Sequence, residues 1–278
     1  MENGVRRARP VFLQNLYRSA MRMTRRRGMR TLSRWNTRLF PRGHLIVLDT
    51  GCDMFIPPDP HFFGYVVGHE SHITRLIEEV VAEGDTCVDV GANIGYFSLM
   101  MAARCGRTGA VYSYEPEPAN LRALIENVKI AESRGLRVKF TAAAVSDHAG
   151  TVELVRGEES TAHQVRTASE SSAAGDLVNS VNLADDLASK GISGPIKLLK
   201  IDVEGHEASV LKGCAGLFER GLVATAVIEV AAGDQAREIS ALLPDFGARS
   251  VECWLDGRWC RTPLAEIPMR TDVLVQFG

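Results

Sequence analysis

Residues 88–98 read VDVGANIGYFS: apolar and β-branched positions lead to Asp89, then Gly91, Asn93 and Gly95 follow at two-residue spacing, and a helical apolar pattern begins at once. The first part has strand composition and the last part helical spacing, so the glycines occupy a strand–loop–helix junction. Gly91 and Gly95 permit dihedrals closed to other residues and let the backbone approach a ligand. The helix behind them opens with unpaired N–H groups, which favour a carboxylate or a phosphate. Asn93 suits an N-cap that also touches the ligand.

Outward from this junction the alternation continues. Upstream, 72–82 carries Ile73, Leu76, Ile77 and Val80 at helical spacing, and 45–56 reads as a strand or hairpin ending at Pro57-Pro58. Downstream, strands are predicted at 110–115, 137–143, 196–202, 223–230, 251–255 and 272–277, with a helix at 118–131. With 86–90 this makes seven core strands, and strands alternating with helices point to a parallel sheet wrapped by helices. Residues 150–181 interrupt the pattern: 151–155 is strand-like, a Ser/Ala/Glu-rich stretch runs to about Gly175, and 177–181 is again apolar. The expectation is an insertion beside the active edge of the sheet, serving as a lid and substrate loop or as a plain surface loop.

Open α/β sheets bind ligands outside the carboxyl ends of their strands. Those ends carry Asp89 with the glycine loop, then Glu115, then Asp202, Glu204 and His206, and finally Glu229. Glu115 follows the loop by about 20 residues, the placement of an acid that accepts both hydroxyls of a ribose, which brings in a nucleoside-containing cofactor. D-x-G-x-N-x-G lacks the G-x-G-x-x-G against which a dinucleotide's pyrophosphate rests. That spacing favours S-adenosyl-L-methionine, which has no pyrophosphate.

Three ordered stretches, VDVGANIGYFS, YSYEPEPANLRALIENV and LLKIDVEGHEASVLKG, resemble the FkbM-type S-adenosylmethionine-dependent methyltransferases across roughly residues 65–230. The resemblance implies an α/β fold with a seven-stranded Rossmann-like methyltransferase sheet, helices on both faces and an antiparallel last strand. It implies S-adenosyl-L-methionine as cofactor, its methionine portion held by Asp89, Gly91, Ala92, Asn93, Gly95, Tyr96 and Phe97. Glu115 would take the ribose, and Pro116, Ala144 and Val145 the adenine. Glu70 corresponds to an acid upstream of the first motif. The implied catalytic set is Asp202, Glu204, His206 and Glu229, and the family calls for no metal.

Methyl transfer to a hydroxyl needs oxygen, carbon and sulfur nearly in line and a base for the hydroxyl proton; Asp202 and His206 are the expected bases. The structural alternatives are Asp202 as a helix cap near Gly205, Glu204 and Glu207 as first-turn acids, and His206 as a surface residue. The expected reaction is O-methylation of a sugar, glycolipid or secondary-metabolite hydroxyl. Methylation of nucleic-acid or protein nitrogen is the alternative reaction, and a non-catalytic S-adenosylmethionine-binding protein the alternative class. No Asn/Asp-Pro-Pro-aromatic motif follows the fourth strand, which argues against the former. The intact set Asp89, Gly91, Gly95, Glu115 and Asp202 argues against the latter.

A chain of 278 residues suits one large domain, 44–278, behind a helical extension, 1–43. Residues 1–42 hold twelve arginines and one acid, a net +11, whereas the other 236 carry 20 basic and 33 acidic groups, a net −13. That acidic body further disfavours a nucleic-acid substrate. Within 11–40, Leu13, Leu16, Tyr17 and Ala20 share one helical face and Arg18, Arg22, Arg25 and Arg26 the other; Gly28 breaks the pattern, and Leu32, Trp35 and Leu39 cluster beyond it. Such an arm fits peripheral contact with an anionic membrane, or packing of its apolar face on the domain with the arginines in solvent. Six cysteines without paired or metal-site spacing fit a reducing compartment, and no apolar run nears the ~20 residues that span a bilayer. The expected location is cytoplasmic, at the inner membrane surface if the arm binds lipid.

Overall fold

The computed structural model describes residues 10–24, 29–156, 163–166, 175–230 and 233–277. The expectations on Arg25, Arg26 and Gly28, and on most of the stretch before Gly175, lie outside these residues. Helices α1 (Val11–Thr24) and α2 (Met29–Leu39) precede a hairpin of β1 (His44–Val47) and β2 (Asp53–Ile56). A 3-10 turn at Pro60–Phe62 leads into α3 (Phe63–Val67) and α4 (Ser71–Val80). Next come β3 (Thr86–Val90), α5 (Tyr96–Cys105), β4 (Ala110–Tyr114), α6 (Pro118–Ser133) and β5 (Val138–Thr141). The insertion supplies β6 (Ala144–Val145), β7 (Gly150–Arg156), β8 (His163–Arg166) and β9 (Asp176–Val181). The chain closes with α7 (Leu183–Ser189), β10 (Ile196–Ile201), α8 (Glu207–Gly213), α9 (Ala215–Glu219), β11 (Val223–Val230), α10 (Gly233–Leu242), β12 (Ser250–Leu255), β13 (Arg258–Arg261) and β14 (Thr271–Gln276).

The main sheet runs β13-β12-β14-β11-β10-β3-β4-β5. Strands β5, β4, β3, β10 and β11 are parallel, and the last strand, β14, inserts antiparallel between β11 and β12. Both faces are covered. Leu76, Leu99 and Leu124 of α4, α5 and α6 belong to one apolar core, and Leu187, Leu211, Leu217 and Ile239 of α7 to α10 belong to the other. Burial on both faces is why the central strands read as continuous apolar runs. The chain leaves β3 toward β4 on one side and returns as β10 on the other, so a crevice opens at the carboxyl ends of β3 and β10.

Among the described residues the sheet has eight strands, one more than the sequence predicts. The addition is β13, an edge strand paired with β12 through a two-residue turn in which Asp256 (φ 49°) and Gly257 (φ 79°) are both left-handed. Asp-Gly between two strand-like runs is the signature of such a hairpin. The insertion also differs from the expected loop: its described residues form a second sheet, β6-β9-β7-β8, with β7 antiparallel to both neighbours.

Asn127 of α6, fully buried, ties this framework to the glycine loop. Its Oδ1 accepts from Phe55 N at 2.6 Å, and its Nδ2 donates to Phe55 O at 3.1 Å and Ile94 O at 2.8 Å. A helix, the β2 strand and the loop are thus held by one amide.

Candidate active site

The crevice is an open cavity of about 1160 Å³, counting its mouth. The β3–α5 loop forms one wall. Gly91 N and Ala92 N both donate to Tyr114 O, at 3.0 and 2.9 Å, which fastens the loop to the end of β4. Gly91 has φ +80°, and a Cβ placed on it would lie 1.7 Å from Asp202 O. Its missing side chain therefore serves the close approach of two backbones. Gly95 works similarly against α6: a Cβ there would meet Leu124 Cδ1 at 2.7 Å. Gly95 is the N-cap residue of α5, and Asn93 instead folds its Oδ1 onto Ile94 N at 2.8 Å, so the expected Asn93 cap is displaced by two residues.

Most of the residues expected at the cofactor line this cavity. Gly91, Ala92, Asn93, Tyr96 and Phe97 come from the loop and α5, Glu115 and Pro116 follow β4, and Ala144 and Val145 form β6. Glu70 faces it from the start of α4, and Asp202, Glu204 and Glu229 from the ends of β10 and β11. Asp89, Gly95 and His206 are not on its surface. Asp89 is buried behind the wall, where its Oδ2 accepts from Ser98 Oγ at 2.5 Å and its Oδ1 has no partner. His206 is buried with Nε2 3.0 Å from Ser146 Oγ, so it joins α8 to the segment after β6. The expected base at His206 and its surface alternative are both corrected: the ring is enclosed, away from the cavity.

Backbone strain is concentrated here. Among the described residues, five non-glycine residues have positive φ, and three of them, Glu70 (38°), Asn93 (53°) and Glu204 (54°), line the cavity. Left-handed non-glycine residues cost of order 1–3 kcal/mol each and persist where the surroundings impose them. The imposed geometry points three polar side chains at one space.

A single lysine organises the charges. Lys200 lies in β10 opposite Asp89 of β3, buried, with Nζ 2.7 Å from Asp202 Oδ2 and 4.9 Å from the centre of the Phe97 ring. Burial alone would lower its pKa, but Asp202, Asp89 and Glu70 together raise it. Burial would likewise raise Asp202, but Lys200 and the hydrogen bond from Glu229 together outweigh it, so this carboxylate sits below its ordinary value. Glu229 hydrogen-bonds to Asp202; the charge of Asp202, then burial, raise it, so Glu229 holds the proton of the pair. Asp202 is therefore not a helix cap: the N-cap of α8 is His206, whose side chain makes no capping bond. Glu207 keeps the expected role of a first-turn acid, accepting from Gly205 N at 2.7 Å.

Two other acids titrate nearer neutrality. Burial, then Asp202 and Glu70, push Glu204 up to about 6. Burial pushes Glu115 to about 7 against the pull of two backbone bonds, Asn93 N to its Oε2 and Glu117 N to its Oε1, each 2.8 Å.

Sequence reasoning did not single out Lys200, Tyr65, His69 or Leu154, all of which line the cavity. Tyr65 stacks on Tyr96 at 5.0 Å, and His69 Nε2 lies 3.1 Å from Glu70 Oε1. The signal for Lys200 was present: a lysine inside the apolar strand LLKID requires a buried acid beside it.

The profile of the Methyltransferase FkbM domain matches residues 89–250, a span that contains the glycine loop, Glu115 and the Asp202–Glu229 pair. The chain belongs to the FkbM methyltransferase family. Hexuronic acid methyltransferase AglP of Haloferax volcanii is 26% identical to it over 178 residues, 63% of this chain and 68% of that protein. Among solved structures, methyltransferase FkbM from Methylobacillus flagellatus KT is 16% identical with a TM-score of 0.43, covering 78% of this chain and 54% of that one. An S-adenosylmethionine-dependent O-methyltransferase from Thermotoga maritima is 13% identical with a TM-score of 0.46, covering 86% and 80%.

This FkbM chain uses S-adenosyl-L-methionine, and the cavity suits it. The lining is acidic, matching a ligand that carries a sulfonium and an ammonium. Glu115 closes one end as a buried acceptor, and the orphaned Asp89 Oδ1 adds negative charge behind the loop. The first N–H groups of α5, which have no intrahelical acceptor, suit its carboxylate.

Proposed function

We propose that residues 44–278 of this FkbM methyltransferase, with 1–43 as an extension, methylate a hydroxyl of a sugar, glycolipid or secondary metabolite. Glu115 would hold the ribose, the loop from Gly91 to Phe97 the methionine end, and Pro116, Ala144 and Val145 the adenine. Bound S-adenosyl-L-methionine supplies an electrophilic methyl group. The remaining cavity wall, Tyr65, His69, Leu154 and Glu204, would receive the acceptor. Among the described residues, four lining carboxylates and the protonated Glu229 against one lysine favour an uncharged acceptor over a uronate, although AglP by its name acts on a hexuronic acid.

One observation carries the chemistry: Glu204 is a cavity carboxyl held near pH 6 beside carboxylates that are otherwise engaged. Asp202 is committed to Lys200 and Glu229, and His206 is enclosed. We assign the hydroxyl proton to Glu204. Its ionised form is the base, so kcat at saturating donor is expected to rise with pH through about 6 and then level off. Glu204→Gln should remove that limb and lower kcat by roughly 10²–10⁴-fold. Transfer of labelled methyl to a panel of neutral, amino and uronate glycosides across this range is the test. A limb that survives in Glu204→Gln and disappears in His69→Asn would move the base to His69. Absence of transfer to every glycoside by protein that binds the donor would refute the sugar reading.

A further inference from the structure

An amphipathic helix ordinarily turns its apolar stripe inward. Here part of the stripe faces out. On α2, Ser33 and Asn36 are buried, while Trp35 and Leu39, one turn apart, are 59% and 55% exposed. On α1, Gln14 and Tyr17 are buried, while Phe12 and Leu16, also one turn apart, are 81% and 51% exposed. The expectation that the apolar face packs on the domain thus holds for Leu13, Tyr17 and Leu32 and fails for Leu16, Trp35 and Leu39. Alongside Trp35 and Leu39 run Arg30, Arg34 and Arg38, all exposed at one-turn spacing.

We infer that the outward faces of α1 and α2 seat on an anionic lipid surface, arginines at the headgroups and Phe12, Leu16, Trp35 and Leu39 in the acyl boundary. The pairing of an apolar stripe with a cationic one is the pattern of interfacial helices. Charge selects the orientation: the extension carries +11 and is drawn to such a surface, while the body, at −13, is repelled. Phe12 and Trp35 could stack on bases, but Leu16 and Leu39 between and beside them offer no such face, whereas all four suit an acyl boundary. The contact also bears on the cavity. Helix α2 packs on the turn Pro60–Phe62 and α1 on α3, with Tyr17 edge-on to Phe63 at 5.1 Å, and His61, Gly64 and Tyr65 of this segment line the cavity. Docking holds that wall beside the bilayer, where a lipid-linked acceptor would present its hydroxyl. The surface itself does not depend on the methyl-transfer reading.

The test is sedimentation of the full chain with vesicles of phosphatidylcholine, with and without phosphatidylglycerol, at low and high salt. Binding is expected only with phosphatidylglycerol, weakened by salt, with a blue shift of tryptophan emission that Trp35→Phe abolishes. Leu16→Asp with Leu39→Asp, and separately Arg34→Glu with Arg38→Glu, should each lower vesicle partition by about tenfold or more. Unchanged donor affinity in both variants shows that the fold and site are intact. No binding to anionic vesicles, binding indifferent to the leucine pair, or preference for single-stranded RNA over vesicles would overturn the inference.

Discussion

Replacing Lys200 by methionine is expected to destabilise the protein by about 3–5 kcal/mol at neutral pH, the usual cost of removing one partner from a buried ion pair, and to abolish methyl transfer. The reason lies in what surrounds it. Lys200 is buried on β10 opposite Asp89 of β3, 2.7 Å from Asp202, and Asp89 and Glu70 also raise its pKa. Methionine fills a similar volume but leaves those carboxylates without their cation. The penalty has a pH signature. Asp202 is held below its unfolded value, so its contribution is complete above that value and declines as pH falls through the folded pKa. In the variant, Asp202 loses the lysine that depresses it and relieves its burial by taking a proton. The gap between wild type and Lys200→Met should therefore be full at pH 7 and narrow as pH falls into the ordinary carboxylate range. Urea unfolding at several pH values reads this directly; a gap independent of pH would show that Lys200 acts by packing rather than by charge.

Gly91→Ala is the second large effect, and Gly257→Ala is its control. The two glycines have nearly the same dihedral, φ +80° and +79°, so a Cβ incurs the same conformational cost at both. Their surroundings differ. At Gly257 nothing lies within 4 Å of the added carbon, whereas at Gly91 the Asp202 carbonyl oxygen lies at 1.7 Å and its carbon at 2.8 Å. Gly257→Ala should cost about 1–2 kcal/mol, the left-handed penalty for an L-residue, and leave catalysis unchanged. Gly91→Ala should cost a further 1–3 kcal/mol, roughly that of overpacking, because only movement of β3 from β10 can relieve the contact. That movement displaces Asp202 and the loop together, so donor affinity should fall by more than about a hundredfold. Equal behaviour of the two variants in thermal melts and donor binding would remove the backbone contact from the account.

Much of this was legible in the sequence because local patterns and strand-end chemistry agreed. The glycine loop, Glu115 and the acids after the fourth strand fell on strand termini, and strand termini meet at a switch point in any sheet of this kind. What escaped notice has specific causes. The strand β13 was announced by Asp256-Gly257, a signal readable in advance. The insertion's strand-like stretches at 151–155 and 177–181 were readable, but their pairing as β7 and β9 was not, since it joins residues more than twenty positions apart. The reason for Gly91 was assigned to the ligand because the sequence cannot show that Asp202 passes behind it. His206 looked like a base by its position after Asp202, but its partner is Ser146, sixty residues earlier and invisible to spacing. Which way α2 faces stayed open for a related reason: amphipathicity tells which side of a helix is apolar, and only tertiary packing tells which side faces the domain.

On this reading the cavity at the ends of β3, β4 and β10 holds S-adenosyl-L-methionine with Glu115 as its ribose acceptor. Calorimetric titration of the donor into wild type and Glu115→Gln, at pH 6 and pH 8, tests it most directly. Because the ionised carboxylate is the acceptor and is pushed up to about 7, wild type should bind at a single site and more tightly at pH 8. Glu115→Gln should bind about tenfold or more weakly, with the pH dependence lost. Equal affinity in the two proteins, or no binding by folded wild type, would contradict the account.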